Sequence, residues 1–254
     1  MVRTSNPCPG TRPAHVGPAS GPLRRGRPVT LRPVMTWSDI SGIATGGGTL
    51  LLAVATFASV RSADRAARSA DRALLASLRP VLIPARLNDG DQKVHWADGH
   101  LRLLHGGHAL AELDEQTGAV YLGIPLRNTG PGLGVLHAWH AEGRPRLAGA
   151  PHAPLSAFQP SVRDLYVPAH DLGYWHAAVR DPQDPRYPGL AEAVRERRQL
   201  SVDLLYGDHE GGQRAVTRFA LIPLEDASPE DRARGGGWLC EPVRHWNLDR
   251  PDPR

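Results

Sequence analysis

Three hydrophobic patterns follow one another along the chain. From Ile40 to Val60 the run ISGIATGGGTLLLAVATFASV holds 21 residues without a charge. Wound as a helix it is about 30 Å long, which matches the hydrocarbon core of a bilayer. Trp37 stands at one edge, where indole rings favour the membrane interface. In a soluble helix, Gly46, Gly47 and Gly48 would each cost about 1 kcal/mol relative to alanine, whereas membrane helices tolerate glycine. The pattern predicts a transmembrane helix over 36–60. A buried soluble helix and a cleaved signal peptide, with Ala53-Val54-Ala55 as its small-x-small site, are the competing readings. Gly42 and Gly46 form a small-xxx-small pair able to bring two spans together.

The second pattern has a period of seven. RSADRAA (61–67) is followed by RSADRAL (68–74). Asp64 lies three residues after Arg61 and four before Arg68, and each such pair supports a helix by a few tenths of a kcal/mol. Ala63, Ala67, Ala70, Leu74 and Leu78 make a narrow apolar seam. The spacing predicts a charged helical stalk over 61–79, either solvated or paired as a coiled coil with a second copy. Pro80 ends it, because the residue before a proline is driven to extended geometry.

From Pro80 the period falls to two. Strand-like runs occur at 80–87, 100–106, 119–128, 133–142, 162–169, 174–180, 200–207, 214–224 and 238–246, separated by Gly, Pro, Asn and Asp. The run at 187–199, with Pro188 near its start, reads as a helix. This predicts a mainly β domain over 80–247: an antiparallel β-sandwich of Ig-like type with one short inserted helix. Tyr166, Tyr174 and Trp175 are expected in its core.

Charge refines the picture. Residues 1–34 carry six arginines and no acid; without them 24 of the 30 basic residues remain against 26 acidic ones, a balance of −2. The positive excess therefore belongs to a Pro/Gly-rich tail that reads as disordered, not to a basic face, and nucleic acid is not an expected partner. Met35 directly precedes the apolar run and is an alternative start for the chain. From Met35, Arg61, Arg65, Arg68 and Arg72 all lie after the span and Asp39 precedes it, which puts the β domain in the cytoplasm; from Met1, Arg24, Arg25, Arg27 and Arg32 oppose that choice. Residues 248–254 read as a short tail. Cys8 and Cys240 form no CxxC and define no disulfide framework.

Candidate chemistry is sparse. In YGDHEGGQRAVTRF (206–219), Asp208, His209 and Glu210 are consecutive and precede Gly211 and Gly212. Period-two strands flank them, so the stretch reads first as a hairpin tip whose glycines supply positive φ, and second as a loop able to do hydrolytic acid–base work. His137 and His140 are the candidate metal ligands. At three apart on a strand they should face opposite sides, and zinc on one strand asks for i and i+2. His105 and His108 flank a Gly-Gly turn. No GxSxG, HExxH, P-loop or dinucleotide fingerprint is present, and no cofactor is implied.

The phrases LASLRPVLIP (75–84), YLGIPLRNTGPGLGVLHAW (121–139) and VDLLYGDHEGGQRAVTRF (202–219) give a resemblance. The chain resembles uncharacterised single-pass membrane proteins of actinobacteria that join an N-terminal span, a short helical stalk and an Ig-like β-sandwich. The middle phrase is also similar to the N-x-G-x-G turn of adhesion-type modules, in which Asn128 would cap the turn and Gly130 and Gly132 would take positive φ. The resemblance implies architecture and transfers no catalytic residue. Together these readings give a single-pass cell-membrane protein whose sandwich acts by binding, as an interaction or scaffold module. Its expected partners are the bilayer through 40–60, a second copy through span and stalk, and an unidentified protein. A membrane-tethered hydrolase using Asp208, His209 and Glu210 is the alternative, and a secreted, signal-cleaved sandwich a third reading.

Overall fold

The computed structural model describes residues 37–227 and 237–251. The tail, the alternative start at Met35 and residues 252–254 lie outside them. One helix, α1, runs unbroken over Trp37–Ser77. It is long and apolar enough to cross a membrane, and the window that qualifies it is 0% buried. The chain divides into two compact units between Val60 and Arg61.

The second unit is mainly antiparallel β. Its strands are β1 (Leu82–Pro84), β2 (Gln92–His95), β3 (Leu101–Leu104), β4 (His108–Leu113), β5 (Val120–Asn128), β6 (Gly134–Glu142), β7 (Gln159–Val167), β8 (Leu172–Val179), β9 (Leu200–Gly207), β10 (Arg214–Pro223) and β11 (Trp238–Asn247). The helix α2 covers Tyr187–Arg195, with Pro188 in its first turn, where the missing N–H does no harm. The main sheet runs β1-β5-β4-β11-β10-β9-β6-β7, with β8 on the other edge of β5, and β2-β3 is a separate hairpin. β5 is the pivot. Its far end pairs with β1 through Asn128, Arg127 and Leu126, and its near end pairs with β4 through Val120 to Gly123. β4 passes the sheet on to β11 through two residue pairs, Trp238 with Ala109 and Leu239 with His108. The sheet curls around one core.

Period two explains that core. Leu200, Val202, Leu204 and Tyr206 of β9 are all buried in it with Phe219 and Leu221 of β10 and Leu122, Ile124 and Leu126 of β5. Trp139 of β6 meets Trp175 of β8 edge to face at 5.6 Å, so side chains from opposite stretches of the sheet close on each other. The outer faces are covered too. The β2–β3 hairpin lays Val94, Trp96 and Leu104 over Tyr121, and residues 144–158 lay Ala153 and Phe158 over Ala138, Val216 and Trp246.

Several expectations change. β2 and β4 carry too weak a pattern to be legible: QKVH buries only Val94, and HALAEL is carried by small alanines. Tyr166 is 55% exposed, so of the expected aromatic trio only Trp175 is deep in the core and Tyr174 packs at the hairpin. Gly130 and Gly132 do not take positive φ; among the described glycines that do are Gly99, Gly107, Gly118 and Gly211. Gly132 is needed for close approach, since a Cβ there would lie 1.8 Å from the Leu78 carbonyl oxygen. Gly212 likewise stays out of the left-handed region, leaving Gly211 to make the turn.

Candidate functional site

The segment 208–213 is the tip of the β9–β10 hairpin. Asp208 is buried and builds the turn: its amide donates to the Gln213 carbonyl at 3.1 Å, and its Oδ1 accepts from the Gly212 amide at 2.9 Å. His209 and Glu210 stay in solvent, with Nε2 and Oε1 3.9 Å apart. The three consecutive side chains therefore serve separate surroundings.

The structure brings Asp208 near His137 instead. Against β9, His137 is the extra residue of a β-bulge, since Leu136 pairs with Tyr206 and Ala138 with Leu205; against β7 the same step skips residues 161–164 of β7. The bulge breaks the strict alternation on which the opposite-face expectation for His137 and His140 rests. The His137 Nε2 lies beside Gly207, and it and the Asp208 Oδ2 are both buried without a hydrogen-bond partner. Burial lowers the His137 pKa, Arg214 adds to that, and Asp164 and Asp208 oppose it.

His140 has a different neighbourhood. Its Nε2 stands 3.1 Å from Glu142 Oε1 and its Nδ1 3.1 Å from the Ala157 carbonyl oxygen. Both ring nitrogens thus face oxygens of the protein itself. Glu142 also accepts from Arg144 at 2.7 Å and Arg146 at 3.0 Å. Burial alone would raise its pKa; the hydrogen bonds from Arg144 and His140 outweigh that and lower it. His140, Glu142 and Arg144 border a groove of about 990 Å³ beside α2. The signal that could have found the pair is its i, i+2 spacing on one strand. Among the described residues, no group of three or more His, Cys, Asp or Glu could hold a metal ion.

A second polar neighbourhood lies where the strand order stops. β7 and β8 touch at one end, where a Cβ on Gly173 would be 2.9 Å from the Val167 side chain. Further along, a cleft of about 430 Å³ separates them, walled by Trp96, Trp139 and Leu165 and edged by Arg163, His176 and Arg180. Arg180 pairs with Asp98, which also accepts from the Tyr121 hydroxyl at 2.6 Å. Burial raises the pKa of Asp98, but the hydrogen bonds from Tyr121, Arg180 and the His100 amide bring it down to about 2. Arg163 forms no ion pair among the described residues; it donates to the His95 carbonyl at 3.0 Å and reaches His176 Nε2 at 3.5 Å. Burial, helped by Arg163 and Arg180, lowers the His176 pKa to about 4. Nothing in the sequence marks this cleft, because its residues come from four separate runs.

The most deeply buried polar groups are structural. Asn128 holds the 128–132 turn from inside: its Oδ1 accepts from the amides of Val81 and Gly130, and its Nδ2 donates to the carbonyls of Gly132 and Val167. The Tyr206 hydroxyl accepts from the Leu82 amide at 3.2 Å and lies 3.0 Å from Thr217 Oγ1. The end of the stalk is anchored by Gln213 Nε2 donating to the Leu75 carbonyl and by Arg79 pairing with Asp249. No protein-family model, curated protein or solved structure matches the chain.

Proposed function

We propose that the chain is a membrane-tethered, non-enzymatic interaction module whose β domain has an Ig-like sandwich architecture and is displayed at the cytoplasmic face of the cell membrane. The observation that carries this reading is the exposed apolar helix. Leu50, Leu51, Leu52 and Phe57 are each about two-thirds exposed in α1. A run of such side chains requires lipid or another chain as its solvent. The hydroxyls of Thr45, Thr49 and Thr56 donate to the carbonyls of Ser41, Thr45 and Leu52, each at 2.8 Å, which is how a polar side chain is satisfied where no water is present. The arginines Arg61, Arg65, Arg68 and Arg72 beyond the apolar run favour the cytoplasmic side for the β domain.

The bilayer is the first partner, through 40–60, and a second copy is the next. A Cβ at Gly42 or Gly46 would meet nothing within 4 Å, so no contact within the chain calls for glycine there. A small-xxx-small seam against a second span would use them, and the alanines of the stalk would extend the pairing as a short coiled coil. Single cysteines at Ala63 or Ala67, in a chain lacking Cys8, test this: oxidation in membranes should give cross-linked dimers at these positions and none from cysteine at Arg65. Equal cross-linking at all three, or none, would contradict the dimer.

The hydrolase alternative has one observation in its favour, the nearness of His137 to Asp208. Among the described residues no nucleophile is hydrogen-bonded to the Nε2 of that histidine, and the Asp208 Oδ1 is committed to the turn.

A further inference from the structure

The cleft between β7 and β8 has an unusual polar inventory. The guanidinium of Arg163 approaches the Nε2 of His176, and an arginine can only donate, so that nitrogen is the acceptor and the neutral ring carries its hydrogen on Nδ1. That Nδ1 is buried and has no partner. The Oγ of Ser161, also lining the cleft, is buried without a partner as well. With Arg163, which forms no ion pair among the described residues and donates to the His95 carbonyl at 3.0 Å, three groups able to donate border one cavity, and the two buried ones, on Ser161 and His176, have no acceptor. Buried donors left in this condition are costly, about 1–3 kcal/mol each, and call for an oxygen. Trp96, Trp139 and Leu165 form the apolar part of the wall; Gln159, Asp181, Asp184 and Arg186 line it too, the last two paired with each other.

The backbone beside the cleft is also incomplete. β7 ends the strand order and β8 pairs only with β5, so each has an outer edge that joins no strand among the described residues. The side chain of Val162 is fully exposed on β7. An open edge next to apolar and cationic side chains is the arrangement that accepts an added strand.

We propose that this cleft binds an extended segment of a partner protein, which adds to the edge of β7 and places a carboxylate side chain against Arg163, Ser161 and His176 with an apolar side chain between Trp96 and Trp139. This deepens the interaction reading above by naming the site and the chemistry of its partner. It does not depend on the membrane.

The test uses the full-length chain in detergent and a fluorescein-labelled, C-terminally amidated hexapeptide of alternating valine and glutamate, monitored by anisotropy. The peptide should bind, its alternating valine–lysine counterpart should not, and N-methylation of alternate amides should abolish binding. Arg163→Glu should weaken the glutamate peptide by roughly tenfold or more and admit the lysine peptide. Arg163 is exposed, so the unfolding midpoint of this variant should match the parent; Arg163→Gln, which weakens one peptide without admitting the other, is the milder check. No binding of the glutamate peptide, or binding indifferent to Arg163 or to N-methylation, would overturn the proposal. Such a failure removes the site alone, since membrane extraction tests the tether separately.

Discussion

Arg218 on β10 and Asp203 on β9 stand directly opposite each other and share a two-pronged hydrogen bond, Nε to Oδ1 at 2.7 Å and Nη2 to Oδ2 at 2.9 Å, with both side chains buried. Neither charge is left incomplete. Arg218 also donates to the carbonyls of Ala150 at 3.1 Å and Pro151 at 2.9 Å, and Asp203 Oδ2 accepts from the Ala153 amide at 3.1 Å. The pair thus pins residues 150–153 over the outer face of the sheet, with the guanidinium 4.9 Å from the ring of Trp246. Removing one partner strands the other. Asp203→Ala should destabilise the protein by about 3–5 kcal/mol, while Arg218→Met combined with Asp203→Leu should be much milder. Urea denaturation in detergent, with the two compared, checks this.

Asn128 carries the second prediction. Asn128→Ala leaves the half-buried Val81 amide, the buried Gly130 amide and two carbonyls short of a partner and should cost at least about 2 kcal/mol. Gly132→Ala should act differently, since the added Cβ meets the Leu78 backbone. It should loosen the 75–81 junction first, seen as faster proteolysis there at denaturant concentrations where the sheet is still folded.

The pH dependence of stability is set in part by His176. Its folded pKa is about 4 against an ordinary 6.5, because burial first and the two arginines next disfavour the imidazolium. Between these values the unfolded chain holds a proton that the folded chain does not. The contribution is therefore complete above about 6.5 and declines as pH falls towards about 4. The urea midpoint should drop across that window, and His176→Gln should flatten this part of the profile. A titration of the ring by NMR with a midpoint near 6.5 would contradict the account.

Cys240 offers a probe of opening. It is 5% exposed on β11, and burial, with Glu241 adding, pushes its thiol pKa well up. In a chain carrying Cys8→Ala, Cys240 should resist a thiol reagent at neutral pH and react at the rate of unfolding once urea is added. Immediate labelling in native buffer would contradict the burial of β11.

The parts of this molecule legible in its sequence are those in which one residue pattern fixes one environment. Leu200, Val202, Leu204 and Tyr206 alternate cleanly, and all four lie in the core. The charge-free run from Ile40 announces a long helix, and α1 is one. The hairpin around Asp208 is readable from its two glycines, although only Gly211 bends the chain. The hidden parts depend on contacts distant in sequence. The bulge at His137 is a register event set by pairing with β9, and β7 shifts its own register opposite the same step. The partnership of Arg218 with Asp203, and the cleft that collects Ser161, Arg163 and His176, exist only once β7, β8, β9 and β10 are in place. The 128–132 turn needs its glycines, as its sequence suggests, but for a different reason: they make room for the end of the stalk.

The central claim is that lipid surrounds residues 40–60, and alkaline carbonate extraction of membranes holding the full-length chain tests it most directly. The account predicts that the protein stays in the pellet with integral membrane proteins and enters the soluble fraction only when Ile40–Val60 is deleted. Release of the intact chain into the carbonate supernatant would contradict it.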